Sequence, residues 1–221
     1  ERAAGLARAG GDLADTSLWL GIAAADYLLV GDAPSAVPLA REALTLARQI
    51  GEPALIASGL LAVGATVAET DPKQARAYLR QSLELSTTLG YQSWVDHVWA
   101  AGIAFLVNDP TATLELGRKA IRALQRGGER ILMGFLLHMI AGTLAATRPE
   151  AAAMIQGAAE AYAAVSPNFA PISLIVTEAL GEERARELRA RGADMDWDQA
   201  VAYTLTQTTQ ALNELKSGTQ P

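Results

Sequence analysis

Proline returns to this chain at an almost constant interval. Pro34, Pro72, Pro110 and Pro149 lie 38, 38 and 39 residues apart. Glycine keeps step with it: Gly51, Gly90 and Gly128 follow the first three prolines at spacings of 39 and 38. Proline suits the first turn of a helix, where its missing N–H would have no partner anyway. Glycine suits the residue after a helix, where a left-handed backbone closes the last turn. Such punctuation at a period near 40 residues is the mark of stacked helical hairpins. A single hairpin cannot bury its apolar face alone, so neighbours must stack on it. The period therefore predicts an all-α, right-handed solenoid of four hairpins of about 38 residues each, closed by a C-terminal capping helix pair, with an inner groove suited to binding.

The apolar pattern fills in the elements. A helix over Leu13–Val30 is followed by one from Ser35 to Ile50, in which Val37, Leu39, Ala40, Ala43, Leu44 and Ala47 recur at helical spacing. Leu55–Val67 pairs with a helix opened by Asp71-Pro72 and closed by Gly90. Trp94–Val107 pairs with a helix opened by Asp109-Pro110 and carried by Leu114–Leu124. Ile131–Ala146 pairs with Ala151–Val165. Gly64, Gly102 and Gly142 recur inside the first helices, which points to close approach of neighbours.

After Ser166 the period stops. A helix from about Ile172 to Arg191 is expected, with Glu182–Arg186 and Glu187–Arg191 pairs at i,i+4 and Gly192 as its end. Asp196 and Gln199 then form a capping box that opens a last helix reaching about Leu215. The expected organisation is repeats over residues 1–166, capping helices over 167–215 and a frayed tail over 216–221.

Composition narrows the function classes. The net charge is −6, and the basic residues are interspersed with acidic ones rather than gathered in a stripe. That argues against direct nucleic-acid or anionic-membrane binding. The absence of cysteine excludes disulfides and thiolate chemistry and favours a cytoplasmic setting. No apolar run reaches the length of a membrane span, since Ile131–Leu144 is interrupted by Gly134, His138 and Gly142. The opening at Glu1, with neither methionine nor signal peptide, is expected of a domain excised from a larger protein.

The carboxy-terminal half carries a resemblance. Glu150-Ala-Ala-Ala-Met-Ile-Gln-Gly-Ala-Ala-Glu160, then Leu180-Gly-Glu-Glu183, then Arg191-Gly192, then Asp198-Gln-Ala-Val-Ala-Tyr-Thr-Leu205 follow one another. This succession resembles the tetratricopeptide-like helical repeat region of actinobacterial LuxR-type transcriptional regulators and of cyclase–ATPase signalling proteins. It is clearest over residues 149–206 and looser over 13–148. The resemblance implies a sensor or scaffold arm of a larger bacterial regulator, with no catalytic residues to carry over. The chain has no GxxxxGK phosphate loop and no room after Leu205 for a helix-turn-helix.

No constellation points to catalysis. His97 and His138 stand alone, without a metal-ligand cluster, and no serine or cysteine lies in a nucleophile elbow. Asp96 neighbours His97 in sequence and so points off its helical face. No catalytic, cofactor or metal residue is assigned. The groove candidates are Trp94, Trp99, His97, Trp19 and Tyr27, all on first helices, where aromatic side chains anchor a peptide or small apolar ligand. The alternative is that they fill gaps in an alanine-rich core. Arg76, Arg80, Arg118, Lys119, Arg122 and Arg126 read as solvated outer faces. The expected role is a regulatory or scaffold arm that binds a protein partner or small ligand and couples to effector modules outside this chain. A homo-oligomerisation module is the alternative, and an all-α enzyme ranks below both.

Overall fold

The computed structural model describes residues 2–90, 94–127, 129–162 and 169–218. Among these residues it holds helices only. They form two compact units, Glu1–Val107 and Asn108–Pro221. Gly128, the expected third closing glycine, lies outside the described residues.

The first unit contains α1 (Arg2–Ala9), α2 (Leu13–Leu29), α3 (Ala33–Ile50), α4 (Pro53–Val67), α5 (Pro72–Leu89) and α6 (Trp94–Leu106). Its turns follow the sequence punctuation. Asp32 and Asp71 cap α3 and α5 by accepting the N–H of Ser35 at 3.1 Å and of Gln74 at 3.0 Å. Each satisfies one of the donors that a helix start leaves open. Gly51 and Gly90 close the same helices in the left-handed conformation, with φ of 77° and 63°. Pro53 at the first position draws α4 two residues further back than the apolar pattern suggests.

Helix α4, PALIASGLLAVGATV, is apolar on nearly every side, and Ala57 and the whole run Gly59–Ala65 are buried. A helix without a polar face must be surrounded, and α4 packs on α2, α3, α5 and α6. Small residues set how closely they approach. A Cβ on Gly59 would meet Cα of Leu44 at 2.9 Å, and one on Gly64 would meet Cδ1 of Ile103 at 3.1 Å and Cβ of Tyr78 at 3.2 Å. The expectation that Gly64 faces a neighbouring helix therefore holds; Gly102 is half-buried.

The second unit contains α7 (Pro110–Gly127), α8 (Arg130–Leu144), α9 (Pro149–Glu160), α10 (Ala170–Leu180), α11 (Glu182–Ala193) and α12 (Trp197–Gly218). Asp109 caps α7 through the N–H of Ala112 at 2.9 Å, directly after Asn108 in the left-handed region at φ 55°. Here α9 is the central helix. All of Ala151–Ala159 is buried except half-buried Met154, and α8, α10, α11 and α12 pack around it. Residue 165, the expected end of this helix, lies outside the described residues.

Three expectations for the C-terminal region are corrected. The helix expected from Ile172 to Arg191 is two helices, because Gly181 adopts φ 79° and ψ 155°, a conformation essentially restricted to glycine. Gly192 does not end α11; it lies buried inside it. A Cβ there would fall 1.9 Å from the carbonyl oxygen of Met154, and a Cβ on Gly157 would fall 1.9 Å from the carbonyl oxygen of Arg189. The two glycines face each other reciprocally and bring the backbones of α9 and α11 into direct contact. Finally, Glu187 pairs with Arg184, three residues back at 2.8 Å, instead of Arg191, and Arg184 also reaches Glu150 on α9 at 2.9 Å. The expected capping box is present: Gln199 N–H donates to Asp196 at 2.8 Å, and Asp196 N–H donates to Gln199 at 3.1 Å.

The position before the fourth repeat proline is Arg148, not aspartate, and it makes no cap. Its guanidinium instead reaches across to α12, donating to Glu214 at 2.7 Å, Gln207 at 2.6 Å and Gln210 at 2.9 Å.

The glycine contacts differ in consequence. The obstacle at Gly157 and Gly192 is backbone, which no rotamer change relieves. Gly157→Ala or Gly192→Ala is expected to cost about 3 kcal/mol or more through overpacking. Gly21 on α2 has no atom within 4 Å of a built Cβ, so Gly21→Ala is expected to stabilise by about 0.5–1 kcal/mol from helix propensity. Urea unfolding of the three variants checks the contrast, and similar midpoints would refute the close-contact account.

Candidate functional site

In the first unit, α2, α4 and α6 lie side by side, with α4 contacting both others. They enclose a groove of about 350 Å³, within the range of small-molecule pockets. The groove is built from positions one repeat apart. Gly21 and Gly59 stand 38 residues apart and both line it, as do Ser58 and Asp96, also 38 apart. Leu18 and Ile22 on α2 and Leu55 on α4 give it an apolar wall, and Trp99 on α6 supplies an aromatic one.

Polar groups in the groove have specified partners. Ser17 donates its hydroxyl to the carbonyl of Ala43 on α3 at 2.9 Å. Ser58 donates to the Asp96 carboxylate at 2.7 Å. Asp96 lies in the first turn of α6, where the helix dipole favours a negative charge. It is only 7% exposed. Asp96 and Trp99 are three residues apart on one helix and therefore share a face. Arg76 on α5, expected to be solvated, donates to the carbonyl of Val107 beyond the end of α6 at 2.6 Å.

The five groove candidates separate. Trp99 lines the groove. Trp94 opens α6, and its side chain lies outside what is described. His97 is half-buried, one residue along from Asp96. Trp19 is on α2 beside the groove residue Leu18, 39% exposed and outside the lining. Tyr27 packs against the core of Ala24, Ala36, Leu44 and Leu60, so the gap-filling alternative describes it. Sequence reasoning set Asp96 aside through its place next to His97 and passed over Ser58. The available signal was the repeat period itself, which places a serine and an aspartate at equivalent points of adjacent helices.

The second unit holds a different polar arrangement. His138 on α8 is fully buried, and among the described residues neither ring nitrogen has a hydrogen-bond partner. Its ring stacks on Phe169 with centroids 5.2 Å apart and planes 17° apart. Gln156 on α9 is also fully buried and donates its amide N–H to Ser173 on α10 at 2.5 Å, while its carbonyl oxygen has no hydrogen-bond partner among the described residues. Phe169 and Ser173 are four residues apart at the start of α10. Elsewhere in this unit, Tyr162 meets Trp197 edge-on at 5.2 Å, and the Arg130 guanidinium sits 5.6 Å above the Trp197 ring. Among the described residues, no group of three metal-capable side chains forms, and no helix is long and apolar enough to cross a membrane.

Comparison of the chain with protein-family models, with curated proteins and with solved structures gives no match.

Burial lowers the His138 pKa from 6.5 to about 4. The neutral ring fits an apolar surrounding and the cation does not. Because the folded pKa lies below the unfolded one, the stability that the neutral His138 lends the second unit is fully present above pH 6.5 and is lost as the pH falls toward 4. A shift of this size corresponds to about 3 kcal/mol in total, with about 2 kcal/mol lost by about pH 5. Urea midpoints at neutral pH and at about pH 5 measure it, and His138→Leu is expected to flatten that part of the profile. An unchanged pH slope in the variant would show that other groups carry the acid sensitivity.

Proposed function

We propose that the chain is a binding module, not a catalyst, and that its ligand occupies the groove between α2, α4 and α6. The observation that carries this reading is the groove itself, about 350 Å³ lined mainly by apolar side chains, with Trp99 and the Ser58–Asp96 pair on its walls. Such a pocket, apolar with a few convergent polar groups, is the common form of a small-ligand site. The period of proline and glycine supports a right-handed array of four like hairpins, an architecture built for recognition. The resemblance of residues 149–206 to the helical region of actinobacterial LuxR-type regulators supports placing the module in a cytoplasmic bacterial regulator. In that setting, ligand binding in the groove biases effector modules outside this chain through its differential affinity for two states of the arm.

The test uses N-phenylnaphthylamine, a neutral fluorescent apolar probe. Saturable binding is expected, and Gly21→Leu is expected to weaken it by about tenfold or more by filling the open space beside Gly21, with no loss of stability. Trp99→Ala is expected to weaken it as well, with a smaller stability cost than a core aromatic would show. Binding that survives Gly21→Leu unchanged would place the probe elsewhere and refute the groove as the site.

Homo-oligomerisation is the second reading. It is favoured by the exposed side chains of Leu174 and Ile175 on α10, 72% and 44% accessible. Light scattering across a dilution series separates the two, since a constant monomer mass excludes the oligomer.

A further inference from the structure

The apolar surface of the groove extends onto the outside of α2. Leu18 and Trp19 are 42% and 39% exposed there, and Ile22 is half-buried. Asp15 stands before them and Asp26 after them, both exposed. Counted from Asp15, the others follow at three, four, seven and eleven residues, so all five side chains share one helical face. Eleven residues of helix place the two carboxylates about 16 Å apart along it. Among the described residues neither forms an ion pair. Asp26 also lies in the last turn of α2, where a negative charge opposes the helix dipole and lends the helix nothing. None of α2, α4 and α6 carries a lysine or arginine. Asp96 is buried and engaged by Ser58, so the exposed charge on these three helices is that of Asp15 and Asp26.

We infer that this face docks an amphipathic helix of a partner protein. Its apolar stripe lies over Leu18, Trp19 and the groove, and two of its lysines or arginines, eleven residues apart, meet Asp15 and Asp26. This rests on the groove being the binding site. It adds the class of partner and the charge spacing the partner carries. A helix packed along α2 at an axial distance of about 8–10 Å brings long basic side chains within reach of both carboxylates. The apolar stripe supplies most of the affinity, while exposed charge pairs contribute little each and select partner and register. A second copy of this chain is a poor match. Its most basic helix, α7, shows no exposed large apolar side chain, and α10, which exposes Leu174 and Ile175, has no lysine or arginine.

Three synthetic helical peptides of about eighteen residues decide the matter. Each is built of alanine, leucine and glutamine with one leucine stripe, and they differ only at two flanking positions eleven apart, which hold lysine, glutamine or glutamate. Fluorescently labelled, they are titrated into the full chain by anisotropy at neutral pH and low salt. The lysine peptide is expected to bind tightest, the glutamine peptide about threefold or more weaker, and the glutamate peptide weakest. The advantage of lysine is expected to vanish at ~1 M salt. Asp15→Asn combined with Asp26→Asn, both at exposed sites, is expected to remove it at low salt while leaving the glutamine peptide's affinity in place. The lysine peptide is also expected to displace N-phenylnaphthylamine. Equal binding of the three peptides would overturn the charge match, and a peptide with its lysines four apart that binds as tightly would overturn the spacing. If no peptide binds while N-phenylnaphthylamine does, the docked helix is refuted and the groove stands as a small-ligand site. If the dye fails as well, both readings fall.

Discussion

A helix that is surrounded on all sides must be narrow, and this requirement governs both halves of the molecule. In the second unit α9 carries alanine or glycine at most of its buried positions, and its backbone touches that of α11 through Gly157 and Gly192. Any side chain at either glycine would push the helices apart, and with them the α10 and α12 packing that shares the α9 core. In the first unit α4 plays the same part, with Gly59 against Leu44 and Gly64 against Ile103 and Tyr78. The alanine content of the chain is thus a geometric specification more than a matter of hydrophobicity. Small side chains give up buried area per residue and recover it in the number of neighbours that can close in.

The groove is a by-product of the same economy. Where α2, α4 and α6 run side by side, glycines at equivalent repeat positions leave space that larger residues would fill. Gly59 is pressed against Leu44, whereas Gly21 faces open space. Into that space the fold directs a buried carboxylate held by a serine from the adjacent helix. The second unit has a titratable group of its own: His138, a ring stacked on Phe169 and kept neutral by its burial, where it responds to acid.

Much of this was legible in the sequence because prolines, glycines and aspartates act locally. Asp32, Asp71 and Asp109 cap the helices that the prolines open, and Gly51 and Gly90 close them, since each of these effects is decided within one turn. The break at Gly181 was missed because the charged run after it is a good helix pattern, and only the backbone angles show that the helix restarts. Gly192 was read as a stop for the same reason; whether a glycine ends a helix or lets a partner in depends on tertiary contact, which a single turn does not record. Trp99 was found by residue type. Asp96 was set aside through its relation to His97 along the helix, whereas its decisive neighbour, Ser58, lies one repeat away and across a helix interface.

Arg148 stands where the two preceding repeats have a capping aspartate before proline. A cap ties a helix start to itself and is indifferent to the rest of the molecule. Arg148 ties the start of α9 to three residues of α12 at the far end of the sequence. The two helices therefore share a fate: lifting α12 away withdraws the hydrogen-bond partners of Arg148 at the start of the central helix. Any element that engages the C-terminal helix from outside thus acquires mechanical leverage on the helix that organises the unit.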